Sequence, residues 1–498
     1  MRTAVPAIRS RGVVPVLAFG GIVTTLVQTA VVPLLPELPR LTGSAPVDVG
    51  WVVTITLLAA AVATPLLGRA GDMYGKRRVL LLSLAALTLG SLLCGLTSDL
   101  AWLIVGRGLQ GVGAAVIPLA ISILRDLLPP ERTGSAVALM SSTVGIGAAF
   151  GLPLAALLVQ YADWHAMFWA TTGLGALVFV LAWRFVDEVP GRSPGRFDIP
   201  GALGLAAGMV CLLLAVSKGG DWGWADTRTL GLAGAGLVVL AAWGRYQWGA
   251  ALPLVDLRLA ARPAVLLPHV AALLAGFAFY ANSLVTAQLV QAPEATGYGL
   301  GLSVVAAGLC LLPAGVIMTL CAPVSARISA ARGAKVTLAI GAAVIALGYV
   351  VRIADSRELW AVIAGAAVVS LGTALAYSAL PMLVMRAVPI EQTAAANGLN
   401  VLMRTIGQAL CSAAVASVLA SHTRAFGEGV TAPTLDGYRI AFVLAGAVAL
   451  LACAAACFIP RHARQPRTPE SETVVRSTSD AAEASGVERG ARAGEPSA

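Results

Sequence analysis

The sequence predicts an all-α membrane protein with 14 transmembrane helices, arranged as two six-helix bundles with two further helices inserted between them. Three observations carry that expectation. Of 498 residues, 58% are hydrophobic and 12% charged, and the mean hydropathy is +0.83, which leaves too few polar side chains to cover a soluble surface of this size. Apolar stretches of about twenty residues recur along the chain, the length that carries a helix across roughly 30 Å of hydrocarbon, and they lack the alternation of a barrel strand. The cations between these stretches alternate between dense and sparse in step with the helix count.

Taken in order, Met1 to Gly12 carries Arg2, Arg9 and Arg11, and the apolar run from Val13 to about Pro39 is too long for a signal peptide and has no small-residue cleavage site. Further spans are expected near 49–68, 79–97, 100–124, 134–160 and 166–186, completing six. Two follow near 199–217 and 229–248, and six more near 264–290, 300–325, 335–353, 358–384, 393–420 and 439–459. An even number places both termini on one side. The segments on that side hold 25 of the 34 cations, those on the other hold 7, including Lys218 and Arg352, and Arg107 and Arg404 lie within spans. One missed helix would invert every later loop, so the ratio supports the count and cytoplasmic termini together. The expected division is an N-terminal bundle over 1–189, the inserted pair over 190–260, a C-terminal bundle over 261–460 and a disordered cytoplasmic tail over 461–498, where Arg, Glu, Ser, Thr and Pro replace large apolar residues.

Internal repetition supports two parallel halves. Arg125 to Ala136 echoes Arg386 to Ala396, and an offset of 260 carries Glu131 to Glu391, Thr133 to Thr393, Ile146 to Ile406 and Gly147 to Gly407. The seven cysteines all fall in apolar segments without metal-ligand spacing, so they read as core fillers, and neither a metal nor a cofactor is expected. The net charge of +9 is scattered between spans, which points to membrane topology and not to nucleic acid. An excess of 31 Arg over 3 Lys, with abundant Ala and Gly, suggests a GC-rich bacterial genome. No Gly-x4-Gly-Lys-[Ser/Thr] loop supports ATP-driven transport, and no Ser/His/Asp or metal constellation supports hydrolysis, so an enzyme is not expected.

Gly68 to Arg78 is the dense cluster of glycine and charge in the first 120 residues, a tight basic turn between two spans. Gly68, Asp72, Gly75, Lys76 and Arg77 match, position by position, the signature between the second and third helices of the major facilitator superfamily, which this chain resembles; Met73 stands where that family usually has arginine. The fourth-span run Gly106-Arg107-Gly108-Leu109-Gln110-Gly111 resembles the family's fourth-helix signature, whose arginine is associated with proton coupling. In the fifth span Gly147, Gly151 and Ala155 recur every four residues around Pro153, giving one face for close helix contact and a kink. That stretch resembles the antiporter hinge signature, with Leu152 in the usual proline place. The first span departs from the fourteen-helix relatives, because Val27 holds the place of their acid.

Together these features look like the fourteen-helix drug:proton antiporter branch of that superfamily. The resemblance implies proton-driven efflux of amphipathic organic compounds across the bacterial cytoplasmic membrane, with a small-molecule substrate, protons and the lipid bilayer as partners, no nucleic acid, and a monomeric state. The missing first-helix acid motivates an alternative, a facilitator or importer without proton coupling. Asp72 is expected to close the cytoplasmic side by pairing with cations or with a helix N-terminus of the other half. Leu34 is judged level with Arg107, and Glu37, one turn further out and within reach of a bent arginine side chain, is the expected substitute acid. Gln28, Asn282, Asn400 and Arg404 are the expected cavity residues, and with arginines at depth and no mid-span acid they favour neutral or anionic cargo over dications.

Overall fold

The computed structural model describes residues 10–31, 34, 38–188, 196–354, 358–426 and 431–460; Glu37 and the tail expected over 461–498 lie outside the described residues. Among the described residues, fourteen helices are long and apolar enough to cross a membrane. The first six are α1 (Ser10–Thr29), α2 (Trp51–Tyr74), α3 (Lys76–Leu96), α4 (Leu100–Leu127, with a 3-10 turn at Gly113–Ala115), α5 (Pro130–Tyr161) and α6 (His165–Phe185). The inserted pair is α7 (Ile199–Trp222) and α8 (Thr227–Gly249). The last six are α9 (Pro263–Gln291), α10 (Val304–Leu320, continuing after a break at Cys321 as Ala322–Arg332), α11 (Ala334–Ala354), α12 (Leu359–Ala387), α13 (Thr393–Ser421) and α14 (Leu435–Phe458).

Local chemistry sets where these helices begin and turn. The side chains of Asp99, Asp198, Asp226 and Thr434 accept from backbone N–H groups in the first turns of α4, α7, α8 and α14, and Pro263 opens α9, where its missing N–H costs nothing. Gly75 alone joins α2 to α3 at φ 112°, and Gly333 alone joins α10 to α11 at φ 90°. Both are conformations that a side chain resists, so each half makes its sharpest turn at a glycine.

In the first bundle α1 packs on α5 and α6, and α4 on α2 and α3; in the second, α9 packs on α13 and α14, and α11 on α12 and α14. The bundles meet along α2 against α13 and α5 against α10 and α12. The inserted α7 lies along α2 and α13, where Thr54 and Ser217 share a 3.2 Å hydrogen bond. The strand structure among the described residues is a small hairpin, β1 (Thr423–Ala425) with β2 (Thr431–Pro433), between α13 and α14.

The repeat has a structural meaning in two helix crossings. A Cβ on Gly147 would lie 2.7 Å from the Ile22 carbonyl and 3.0 Å from the Leu26 nitrogen; on Gly407, 1.9 Å from the Leu273 carbonyl and 3.0 Å from the Phe277 nitrogen. Each half therefore presses its fifth helix onto its first at a glycine, backbone to backbone.

Three expectations are corrected. α1 ends at Thr29 and not near Pro39, since Pro33 and Pro36 supply no N–H to continue a helix, and the chain goes on through short helices at Leu38–Thr42 and Pro46–Val49. Lys218 and Arg352, counted as loop cations, lie inside α7 and α11 and are 3% and 1% exposed; Lys218 sits over the Trp51 ring at 5.4 Å. The segment taken as a loop from Ser325 is helical through Arg332.

Crowding at these glycines predicts a contrast. Gly407→Ala should lower thermal stability by about 1–3 kcal/mol through overpacking. Gly173→Ala, which meets open space inside α6, should be neutral or stabilising by up to about 1 kcal/mol. Thermal unfolding of the detergent-solubilised protein compares the two.

Candidate functional site

At the end of the molecule that carries the Gly68–Arg78 turn, here the loop face, a buried carboxylate bonds one bundle to the other. Asp72 is 1% exposed, and its Oδ1 and Oδ2 accept from the backbone nitrogens of Ala394 and Ala395 at 3.2 and 2.8 Å. Those N–H groups belong to the first turn of α13, where unsatisfied donors and the helix dipole favour an anion. The glycines make the approach possible: a Cβ on Gly68 would lie 2.5 Å from the Ala394 carbonyl, and one on Gly398 would lie 2.4 Å from the Thr64 carbonyl. Lys76 supports the site, with Nζ 2.5 Å from Asp126 and 3.7 Å from Asp72. From the end of α4, Arg125 donates to the Thr393 hydroxyl at 2.5 Å. Arg77 stays within its own bundle, donating to the Trp183 carbonyl at 2.7 Å. Gly68, Asp72, Gly75, Lys76 and Arg77 thus form one joint, in which Asp72 alone among the five bonds across the bundles.

Arg107 is buried in the first bundle, 1% exposed. Its Nε donates to the Val52 carbonyl at 3.2 Å, Nη1 to the Val27 carbonyl at 3.1 Å and to Gln110 Oε1 at 2.6 Å, and Nη2 reaches the Gln28 carbonyl at 3.5 Å. Gln110 in turn donates to Ser91 at 2.9 Å. A planar guanidinium with five donors suits this ring of oxygens. Arg107 meets α1 at residues 27 and 28, about two turns short of Leu34, because α1 ends at Thr29; the expected level was drawn from a helix that ran too far. Val27, in the place of the expected acid, contributes its carbonyl.

Gly147 and Gly151 both close on α1, Gly151 against the Thr29 hydroxyl, which also reaches the Gly147 carbonyl at 3.4 Å. Pro153 is buried two residues further along α5. Contact across the bundles falls to the neighbouring positions: a Cβ on Gly315 of α10 would meet Ala149, and one on Gly145 would meet Met318.

The cavity candidates separate. Asn282 is committed within the second bundle, donating to the Ala366 carbonyl at 3.2 Å and accepting from Arg352 at 2.6 Å. Arg352 also donates to Thr286 at 2.7 Å and lies 4.2 Å from the centre of the Phe442 ring. Arg404 sits over the Tyr377 ring at 4.6 Å, and that ring packs on Phe279 at 5.5 Å. Tyr377 ties α12 to α5, its carbonyl accepting from Ser141 at 3.0 Å. The Tyr377 hydroxyl and Asn400 Nδ2 are buried without a hydrogen-bond partner among the described residues, an unusual state for polar groups that nothing else engages. Gln28 is half-buried on α1, its carbonyl beneath Arg107.

Sequence reasoning missed Arg352, Tyr377, Asp126 and Arg125. For Arg352 the signal was its neighbour three residues earlier: Tyr349 shares its face and donates to the Ala278 carbonyl. Val27 and Ala278 each stand one residue past the position that meets the glycine of the fifth helix. The first bundle thus satisfies that carbonyl with Arg107, and the second with Tyr349 beside Arg352.

Removing the Arg107 guanidinium should destabilise the first bundle. Arg107→Leu takes the side-chain donor from the Val27 carbonyl, at about 1–3 kcal/mol, while the Val52 carbonyl keeps the Thr56 hydroxyl, and Arg107→Lys should recover only part, since one ammonium cannot span the fork. The apparent melting temperature of the purified variants checks the order wild type, Lys, Leu.

Comparison with known proteins places the chain. The profile of the Major Facilitator Superfamily matches residues 17–412 and again 333–489. A tetracenomycin C resistance and export protein of Streptomyces glaucescens is 28% identical, covering 93% of this chain and 94% of its own. A cephamycin export protein, CmcT, of Amycolatopsis lactamdurans is 32% identical over 82% of this chain and 84% of its own. Among solved structures, the human organic anion transporter MFSD10 superposes with a TM-score of 0.64 at 17% identity, covering 90% of this chain and 99% of its own, a likeness of fold. Fourteen membrane-length helices, the glycine-lined joint at Asp72 and a profile match over most of the chain agree: this protein belongs to the major facilitator superfamily.

Proposed function

We propose that the protein exports amphipathic organic compounds, antibiotics or a metabolite of its bacterial host among them, across the cytoplasmic membrane in exchange for protons. It acts as a monomer, with both termini and the loop face in the cytoplasm. One observation carries the mechanism: a single buried carboxylate, Asp72, bridges the two bundles by gripping the first turn of α13. Such a joint closes one face while leaving two rigid bundles free to rock, which is the requirement of alternating access. The direction of transport is supported by relatives of similar length that are named as export proteins for tetracenomycin C and cephamycin. A facilitator without proton coupling is the second reading, favoured by Arg107, whose hydrogen bonds in the first bundle run to carbonyls and an amide.

The cargo follows from charge. Arg404 at depth over an aromatic platform suits neutral or anionic compounds better than dications. Gly147, Gly151 and Pro153 form the flexing face of α5 in this scheme, and the loop-face joint is the inner gate.

Two measurements test the reading. Efflux from cells or proteoliposomes should collapse when the pH gradient is abolished with the membrane otherwise intact, and it should favour a lipophilic anion over a lipophilic cation of similar size; gradient-independent movement would support the facilitator, and preference for the cation would remove the electrostatic argument. Asp72→Asn should reduce transport with near-normal expression. The lost charge-assisted bonds are worth about 1.5–3 kcal/mol, a ten- to hundredfold change in the closed population.

A further inference from the structure

One buried imidazole has no part in the gate or in the cargo site. His269 lies in the second turn of α9, 4% exposed, and neither ring nitrogen has a hydrogen-bond partner among the described residues. It faces a cavity of about 430 Å³ on the loop face, between α2, the start of α13 and the segment joining α8 to α9. The charged groups on the cavity wall are Arg69 of α2, Asp256 of the joining segment and Glu391 just before α13. The helices packed on α9 add little charge near it. α9 itself has none, α13 has Arg404 alone, the loop-face half of α14 has none, and Arg386, Arg327 and Arg332 at the ends of α12 and α10 are exposed.

The cavity abuts the joint. Ala395, whose N–H holds Asp72, forms part of its wall, and Arg69 precedes Asp72 on the same helix by one turn of sequence. His269 is one turn before Leu273, the residue that meets Gly407, and it shares the cavity wall with Leu399 of α13. Imidazole is the side chain whose ordinary titration falls near neutral pH. The other described histidines sit at helix ends and are already hydrogen-bonded, His165 to Asp163 and Ser98, and His422 to Ser421 and the Val418 carbonyl.

We propose that His269 is the proton-carrying group of the transport cycle; the inference rests on the proton-driven reading. Protonation converts the ring to a cation with two donors. That cation attracts Glu391 and is repelled by Arg69 and by the positive end of α13. Arg69 lies one turn before Asp72 and Glu391 just before the α13 turn that Asp72 grips, so these forces strain the joint from both sides and the proton-loaded protein favours its release. Once the loop face opens, the proton leaves His269 for cytoplasmic water, the ring returns to neutral, and Asp72 can close on α13 again.

The test uses full-length protein in proteoliposomes, with ethidium and 1-anilinonaphthalene-8-sulfonate as probes, with and without an imposed pH gradient. For wild type the gradient should accelerate movement of at least one probe by about tenfold. His269→Gln should move that probe no faster with the gradient than without it, and His269→Asp should regain acceleration with its pH midpoint displaced toward acid, which a merely structural role would not produce. A His269→Gln variant accelerated like wild type overturns the proposal and leaves the proton-driven reading standing; wild type without acceleration overturns that reading first. Should His269→Gln fail to fold, ¹⁵N-histidine NMR of a protein retaining His269 after replacement of His165, His422 and His462 decides instead. A ring signal that shifts between about pH 5 and 8 supports the proposal, and a flat one overturns it.

Discussion

The structure depends on one carboxylate reaching the open end of a helix that belongs to the other bundle. Asp72 can do this because the first turn of α13 offers two N–H groups with no intrahelical partner, and because Gly68 and Gly398 let α2 and α13 approach until backbone meets backbone. Any side chain at either glycine would hold the helices apart and leave a buried charge without donors, the costly outcome for a carboxylate out of water. Lys76 and Asp126 set the local charge so that the joint is anchored on the α3–α4 side, while Arg125 adds a second bond to the start of α13. These directional contacts at the loop face join the apolar packing of α2 on α13, where Leu58 and Ala61 meet Leu402 in one buried cluster.

The two bundles solve the same packing problem with different chemistry. Gly147 and Gly407 set equivalent crossings, and beside each a first-helix carbonyl takes a side-chain donor from another helix. In the first bundle Arg107 comes from the fourth helix; in the second, Tyr349 comes from the third, with Arg352 beside it bound to Asn282 and Thr286. A buried cation is tolerated in each because several oxygens replace its hydration shell. Arg404 differs: it is half-buried and rests on the face of the Tyr377 ring.

The inserted helices are more than a spacer. α7 lies along α2 and α13, the two helices of the Asp72 joint, and the segment after α8 builds the wall of the cavity that holds His269. A displacement of the inserted pair would therefore be felt at the loop face, through packing on one side and through cavity shape on the other.

Class, the number of spanning helices and the turn at Gly75 were legible in the residues alone, because a bilayer imposes a length on every span and a one-residue turn between antiparallel helices imposes a glycine. Asp72, Arg107 and Gly147 were also marked in advance, through residue types that are rare or conspicuous in apolar helices. Their partners came only with the packing of helices. That Arg107 meets the Val27 carbonyl, that Arg352 belongs to the interior and not to a loop, and that Asp72 grips Ala394 and Ala395 all depend on where helices end and how they cross. Hydropathy is blunt there: it read α1 on past Thr29 and stopped α7 before Lys218, since a long cation buried against an aromatic ring is indistinguishable in sequence from one that reaches water. His269 was invisible for the same reason. Its significance lies in a cavity and in two nitrogens without partners among the described residues, which three separate segments of chain create only once they are brought together.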